Sequence, residues 1–186
     1  MLDAAICLLN EQPDCSMEAI ATASGVTRQT VYAHFPSRDR LASAVLDHVT
    51  AEAVAAMDAA GPDQGTAIDA LLRVLDASIA VAHEYPVLVQ RIGIPSIGRE
   101  GDEERQAPVV DRLRRVIERG QRDGEFGAEL SADWLVTVVI ALAHAGCGEV
   151  DAGRMSDQEM QTSLRTSLLR LLGAALGGPT VIDPRR

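Results

Sequence analysis

Apolar residues recur at helical spacing through most of this chain, and Gly, Pro and capping residues cut the pattern into segments. Leu2, Ile6 and Leu9 share one face of a helix running to about Glu11, which Pro13-Asp14 ends. Two short helices follow, hinged at Gly25, with Ser16 and Thr27 as oxygen-bearing N-caps. Ser37 caps a long helix reaching about Ala60, its i, i+4 faces traced by Leu41, Val45, His48/Val49 and Glu52/Ala56; Gly61-Pro62 stops it. From about Asp63 to Glu84, the positions Ile68, Leu71, Leu72, Leu75, Ile79 and Ala82 keep the helical period. Val74 and Val81 widen that stripe, which predicts a central helix covered on more than one side.

Tyr85-Pro86 breaks the central helix, and a shorter one is expected from Val87 to about Ile92. Gly93, Pro95, Gly98 and Gly101 then punctuate a loop, either a plain connection or a flap over a pocket. About Glu103 to Arg122 reads as an amphipathic helix with Val109, Val110, Leu113, Val116 and Ile117 inward. Its arginines alternate with Asp111 and Glu118, the pattern of a solvated face rather than a second nucleic-acid site. Ser131 caps a helix from Ala132 to about Val150 that is apolar almost all round between Trp134 and Gly148. Ser156 and Glu159 form a capping box. The last helix turns Met160, Leu164, Leu168, Leu171, Leu172 and Ala175 inward, and Gly177-Gly178-Pro179 begins a polar tail. The fold class is all-α.

Within this frame, Met17 to Phe35 carries the most information. Ile20 and Ala21 face inward on the first short helix, and Val26 and Val31 close over them. Ala21 is small where two helix axes cross, and Gly25 suits the left-handed conformation that turns the chain sharply. The pattern Ile-Ala-x3-Gly-Val-x4-Val is that of a helix-turn-helix. With Val31 and Phe35 inward, Thr27, Arg28, Gln29, Thr30, Ala33 and His34 are left on the outer faces. Arg can donate in bidentate fashion to guanine, Gln can pair with adenine, and a Thr methyl can meet the methyl of thymine.

Ile20-Ala21, Gly25-Val26-Thr27 and the run Val31-Tyr32-Ala33-His34-Phe35-Pro36-Ser37-Arg38-Asp39-Arg40-Leu41 resemble the DNA-binding signature of the TetR family of transcriptional regulators. The Tyr-x-His-Phe-x-Ser ending is far more telling than a generic helix-turn-helix. The resemblance adds Tyr32 and Arg38 to the DNA-facing set. Family members usually have Lys at the Arg38 position, touching phosphate, and Arg keeps the charge while adding a planar fork. The resemblance also implies a homodimer with a helical C-terminal domain that binds a small molecule, the last two helices of each chain forming a four-helix interface. Residues 1–48 would then be a three-helix DNA-binding domain, joined by the long helix to a ligand-binding and dimerisation domain over 49–186. Family members usually carry basic residues ahead of the first helix; here that arm is absent or precedes residue 1.

Composition tempers this picture without reversing it. The net charge is −10, and the first fifty residues hold three arginines against six carboxylates. Those arginines sit on or beside the second short helix, so a local positive face doubled by dimerisation can still neutralise phosphates. The chain has 3 cysteines, Cys7, Cys15 and Cys147, widely spaced and without metal-ligand partners, which reads as ordinary packing residues. No phosphate loop, dinucleotide fingerprint, HExxH helix or Gly-x-Ser-x-Gly elbow appears, so no enzyme and no cofactor are expected. The longest apolar stretch, Trp134 to Ala145, contains Thr137 and His144 and is short for a membrane span; no basic-then-apolar leader opens the chain. The expected location is cytoplasmic.

These readings converge on a sequence-specific DNA-binding regulator, a repressor released by a small ligand, whose dimer meets two-fold related half-sites. Tyr85, Arg91, Trp134 and His144 are the candidate pocket residues, each a polar handle on a mostly apolar segment. The alternative is a helical ligand- or protein-binding module that keeps the helix-turn-helix only as a structural unit.

Overall fold

The computed structural model describes residues 1–85 and 102–173, and among these it contains eight α-helices and no strand. The expected short helix at 87–92, the loop through Gly101, Arg91 and the tail after Gly173 lie outside the described residues. Helix α1 spans Leu2–Glu11, α2 Met17–Ala23, α3 Arg28–His34 and α4 Arg38–Ala59. Helix α5 spans Ala67–Glu84, α6 Asp102–Arg122, α7 Ala132–Asp151 and α8 Asp157–Leu171. Each predicted cap is present. Ser16, Thr27, Ser37 and Ser131 accept from the backbone N–H three residues on, satisfying a donor that the helix itself leaves free. Ser156 and Glu159 make the reciprocal pair of a capping box.

Two buried clusters organise the chain. The first joins Ala5, Ile6 and Leu9 of α1 to Ile20 and Ala21 of α2, Val31 of α3, and Leu41, Val45 and Val49 of α4. The second joins Met57 to the inner faces of α5 through α8. Helix α4 therefore belongs to both, which makes it a rigid strut between them. Its stripe corrects the sequence reading in the second half. Leu41, Val45, Val49 and Met57 lie on one line of four-residue steps, whereas the sequence reading had moved the face to Glu52/Ala56. Met57 is fully buried because α5 crosses α4 there, a contact that local periodicity does not reveal.

Helix α5 also starts later than the expected Asp63. Residues 61–65 form a turn, and Thr66 accepts from Asp69 N as the N-cap. The carboxylate of Glu125, 58 residues away, accepts from Ala67 N at 2.8 and 3.0 Å and places negative charge at the positive end of α5. Arg73 holds the same turn from the other side, donating to the carbonyls of Ala60, Gly61 and Gln64. Helix α6 is pinned along α4 by Arg105 to Asp47 and by the two-pronged Arg112–Asp58 pair. On α8, Met160, Leu164, Leu168 and Leu172 are all spent within the protomer's own core.

Candidate nucleic-acid interface and helical cavity

Helix α3 is only seven residues long, yet its placement is well determined. Gly25 takes φ +67°, closing α2 in a left-handed residue, and Val26 N donates to Ala21 O across the turn. Val31 is fully buried against Ile20, and Phe35 packs on the same cluster at the end of α3. With those two side chains inward, Thr27, Arg28, Gln29, Tyr32, Ala33 and His34 are exposed and Thr30 is half-buried. Thr27 serves as the cap, accepting from Thr30 N, and the two threonine hydroxyls lie 2.9 Å apart. Arg28 sits with its guanidinium 5.3 Å from the centroid of the Tyr32 ring, a cation–π contact that steadies an otherwise free side chain. His34 lies in the last turn, where a cation would suit the helix dipole.

Arg38 occupies a different setting from its neighbours. It is half-buried at the start of α4, and its two terminal nitrogens donate to the carbonyls of Cys15 and Pro13 in the α1–α2 connection. The fork thus ties α4 to the segment that leads into α2. A lysine, with one ammonium, would not bridge both carbonyls in this way. This inward use of the fork was not foreseen from the sequence, where only its charge was legible.

A cavity of about 150 Å³ lies between α4, α5, α6 and α7. Val49, Thr50 and Ala53 form its α4 wall, and Ser78 and Ala82 lie on its α5 wall. Of the four expected pocket residues, His144 lines it, together with Cys147 one turn on. Burial pushes the His144 imidazole below its ordinary value of 6.5, and Nδ1 is enclosed without a hydrogen-bond partner. Burial also pushes the Cys147 thiol up. Tyr85 and Trp134 lie outside the lining. The Tyr85 phenol is hydrogen-bonded to the Glu52 carboxylate, which with burial and neighbouring carboxylates pushes it up to about 12. Tyr85 packs on the first cluster instead, beside Val81, which also lines the cavity. Trp134 stands 55 % exposed in the first turn of α7. Gln106, Thr50 and Ser78 are lining residues that the sequence reading missed, since nothing in their local pattern marks them.

Both candidate regions touch α4. Asn10 Nδ2 donates to Glu84 O at 3.0 Å, so α1 is tied to the C-terminal end of the same α5 that walls the cavity. Helix α7 leaves much of itself uncovered. It buries only Leu135, Val136, Val139 and Ala143, while Trp134, Ala141, Ala145 and Gly148 are exposed. By length and mean hydropathy (20 residues, 1.3) it meets the measure of a membrane-spanning helix, which the shorter apolar stretch counted in the sequence had not suggested. Its four core contacts show one face already committed to protein.

Residues 1–45 match the model of the family described as bacterial regulatory proteins, tetR family. The chain is 28 % identical over 174 residues to the HTH-type transcriptional repressor LfrR of Mycolicibacterium smegmatis, covering 92 % of this chain and 89 % of that one. The crystal structure of LfrR in complex with proflavine superimposes with a TM-score of 0.66, covering 97 % of this chain and 94 % of that one at 28 % identity. A Rhodococcus sp. RHA1 protein of unknown function has a TM-score of 0.76 at 19 % identity over 92 % of both chains, which speaks for the fold alone. The helix-turn-helix of residues 1–45 is thus that of the tetR family of bacterial regulatory proteins, and α4 joins it to a helical body whose architecture is similar to that of LfrR.

Proposed function

We propose that the chain is a sequence-specific transcriptional repressor that acts as a homodimer and is released from its operator by a small molecule held in the α4–α7 cavity. The observation that carries this is the division of α3. Its one fully buried side chain fixes it on the first core, and Arg28 and Gln29 in its N-terminal half are left exposed. That half is the part of a recognition helix that meets base edges. Arg28 and Gln29 are the proposed base readers, with Thr27, Thr30, Tyr32, Ala33 and His34 forming the surrounding surface and Arg38 beneath it. Two-fold related half-sites would be met by recognition helices held about 34–36 Å apart.

The proposed dimer packs α7 and α8 against their copies. Support comes from α7, whose uncovered strip of Trp134, Thr137, Ala141, Ala145 and Gly148 carries no charge and is small-residued beyond Trp134, the composition that lets helices approach closely. Helix α8 supports a lesser share than the sequence suggested, because its apolar stripe completes the protomer core. A DNA partner implies a cytoplasmic location.

The proposed switch is a population shift. Val49, the last α4 residue of the first core, also begins the cavity wall that continues through Thr50 and Ala53. A ligand that fits better when α4 is displaced draws the dimer toward a spacing that no longer matches DNA, by an amount limited to its differential affinity. The test is selection of bound duplexes from a random pool at near-physiological salt, followed by sequencing. Enrichment of a two-fold site with half-site centres about one DNA turn apart is the expected result. A folded, dimeric protein that enriches nothing, even with a basic segment restored ahead of α1, would instead favour a helical module that does not read DNA. The acidic balance of the first fifty residues is the observation behind that second reading.

A further inference from the structure

The cavity has a chemistry of its own, and it restricts what can occupy it. Its volume, about 150 Å³, is that of an engineered cavity known to hold benzene, and smaller than the usual drug-sized site. Among the described residues no aspartate, glutamate or arginine lines it, and the chain has no lysine. Several of the charged groups on α4 and α6 are already engaged elsewhere. Glu52 holds Tyr85, Asp58 holds Arg112, and Asp47 holds Arg105. An ion entering this space would give up its hydration without gaining a counter-charge.

Hydrogen bonding narrows the choice further. Thr50 Oγ1 donates to Leu46 O and Ser78 Oγ to Leu75 O, both at 2.9 Å, so each turns only lone pairs to a ligand. His144 is the exception. Its Nδ1 is enclosed with no partner, while Nε2 is not enclosed in that way. A neutral imidazole carries one N–H, and an enclosed donor without an acceptor is a rarer and costlier orphan than an enclosed lone pair. The proton is therefore assigned to Nε2, so that His144, a residue of the cavity lining, has one donor to offer a ligand.

We infer that the cavity selects an uncharged molecule about the size of one substituted aromatic ring, carrying a hydrogen-bond acceptor for His144. This rests on the reading of the cavity as the effector site and names the class of effector. A charged ligand would lose its hydration here without a counter-charge, and a three-ring ligand would exceed the present volume. Seen this way, His144 sets ligand preference while the alanines at 53, 82 and 143 set ligand size.

The experiment titrates the full-length chain at pH 7.5 by calorimetry with four probes: acetophenone (ring plus acceptor), toluene (ring alone), benzoate (an anion) and proflavine (three rings). Acetophenone is expected to bind about tenfold tighter than toluene, the size of one retained hydrogen bond. Benzoate and proflavine are expected to be weaker than acetophenone. His144→Leu should abolish the preference for acetophenone over toluene, and His144→Gln, which keeps a donor, should retain part of it. Ala82→Leu, or Ala53→Leu on the opposite wall, should block both uncharged probes while circular dichroism shows the helical fold intact. Tighter binding of benzoate or proflavine, a preference that survives His144→Leu, or no binding by either uncharged probe overturns the inference. Release of the selected duplex is measured in parallel. Acetophenone that binds in the cavity without releasing DNA upholds the ligand class and overturns the effector role; release by proflavine alone upholds the effector role and overturns the class.

Discussion

Arg38 offers the sharpest test, because two physical roles for it predict opposite results. As a phosphate contact, its loss would remove one neutralised phosphate and leave the protein's stability alone. The structure instead directs both terminal nitrogens to the carbonyls of Cys15 and Pro13, across the gap between α4 and the segment entering α2. Hydrogen bonds to a charged donor contribute about 1.5–3 kcal/mol each when well shielded. Arg38 is half-buried and water can reach the freed carbonyls, so the pair together is worth about 1–3 kcal/mol. Arg38→Ala should therefore lower the urea midpoint of the full-length chain and weaken DNA binding evenly across sequences, through a less firmly held α2–α3 unit. Arg38→Lys keeps the charge but not the fork, and should recover no more than about half of that stability. The assays are urea unfolding followed by circular dichroism, and operator titration at several salt concentrations. An unchanged midpoint in Arg38→Ala, with a salt slope shallower by about one and full rescue by lysine, would refute the strut and restore the phosphate role.

Three further outcomes are expected. Arg28→Ala and Gln29→Ala should each relax specificity by about 1–3 kcal/mol at one base position per half-site, measured by competition between operators changed one base pair at a time; uniform loss at every position would remove them from base reading. Gly120→Ala pits helix propensity against space: alanine gains about 1 kcal/mol in a helix interior, but its Cβ would lie 2.2 Å from Cδ2 of the buried Phe126. Repacking costs about 1–3 kcal/mol, so a net loss of up to about 2 kcal/mol is expected in urea unfolding, and a stabilised variant would contradict the packing. The third concerns His144, held below 6.5 in the folded state by burial. Between that folded value and 6.5 the unfolded chain binds the extra proton, so its contribution is full above about pH 6.5 and is lost as the pH falls. Wild type should lose more of its urea midpoint than His144→Gln between pH 7.5 and pH 5.5, and equal losses would show that His144 is not the group responsible.

The sequence by itself determined whatever depends on neighbours one or two helical turns away. Ser16, Thr27, Ser37, Ser131 and Ser156 stand at helix starts because a hydroxyl reaches the free N–H three residues on, and that geometry is wholly local. The turn at Gly25 and the inward set Ile20, Ala21 and Val31 are equally legible, since a helix-turn-helix is compact and closes within twenty residues. What depends on a partner far along the chain was hidden. The buried line on α4 ends at Met57 because α5 crosses there, and α5 starts at Ala67 under the carboxylate of Glu125. Tyr85 left the predicted pocket because Glu52, on another helix, holds its hydroxyl. His144, expected there, does line the cavity, whereas Thr50, Ser78 and Gln106 join it only because four helices leave a gap at that height, a fact of volume rather than of pattern. Arg38 shows the boundary most clearly: its charge is written in the sequence, but which oxygens receive it was decided only when α4 came to rest against the α1–α2 connection.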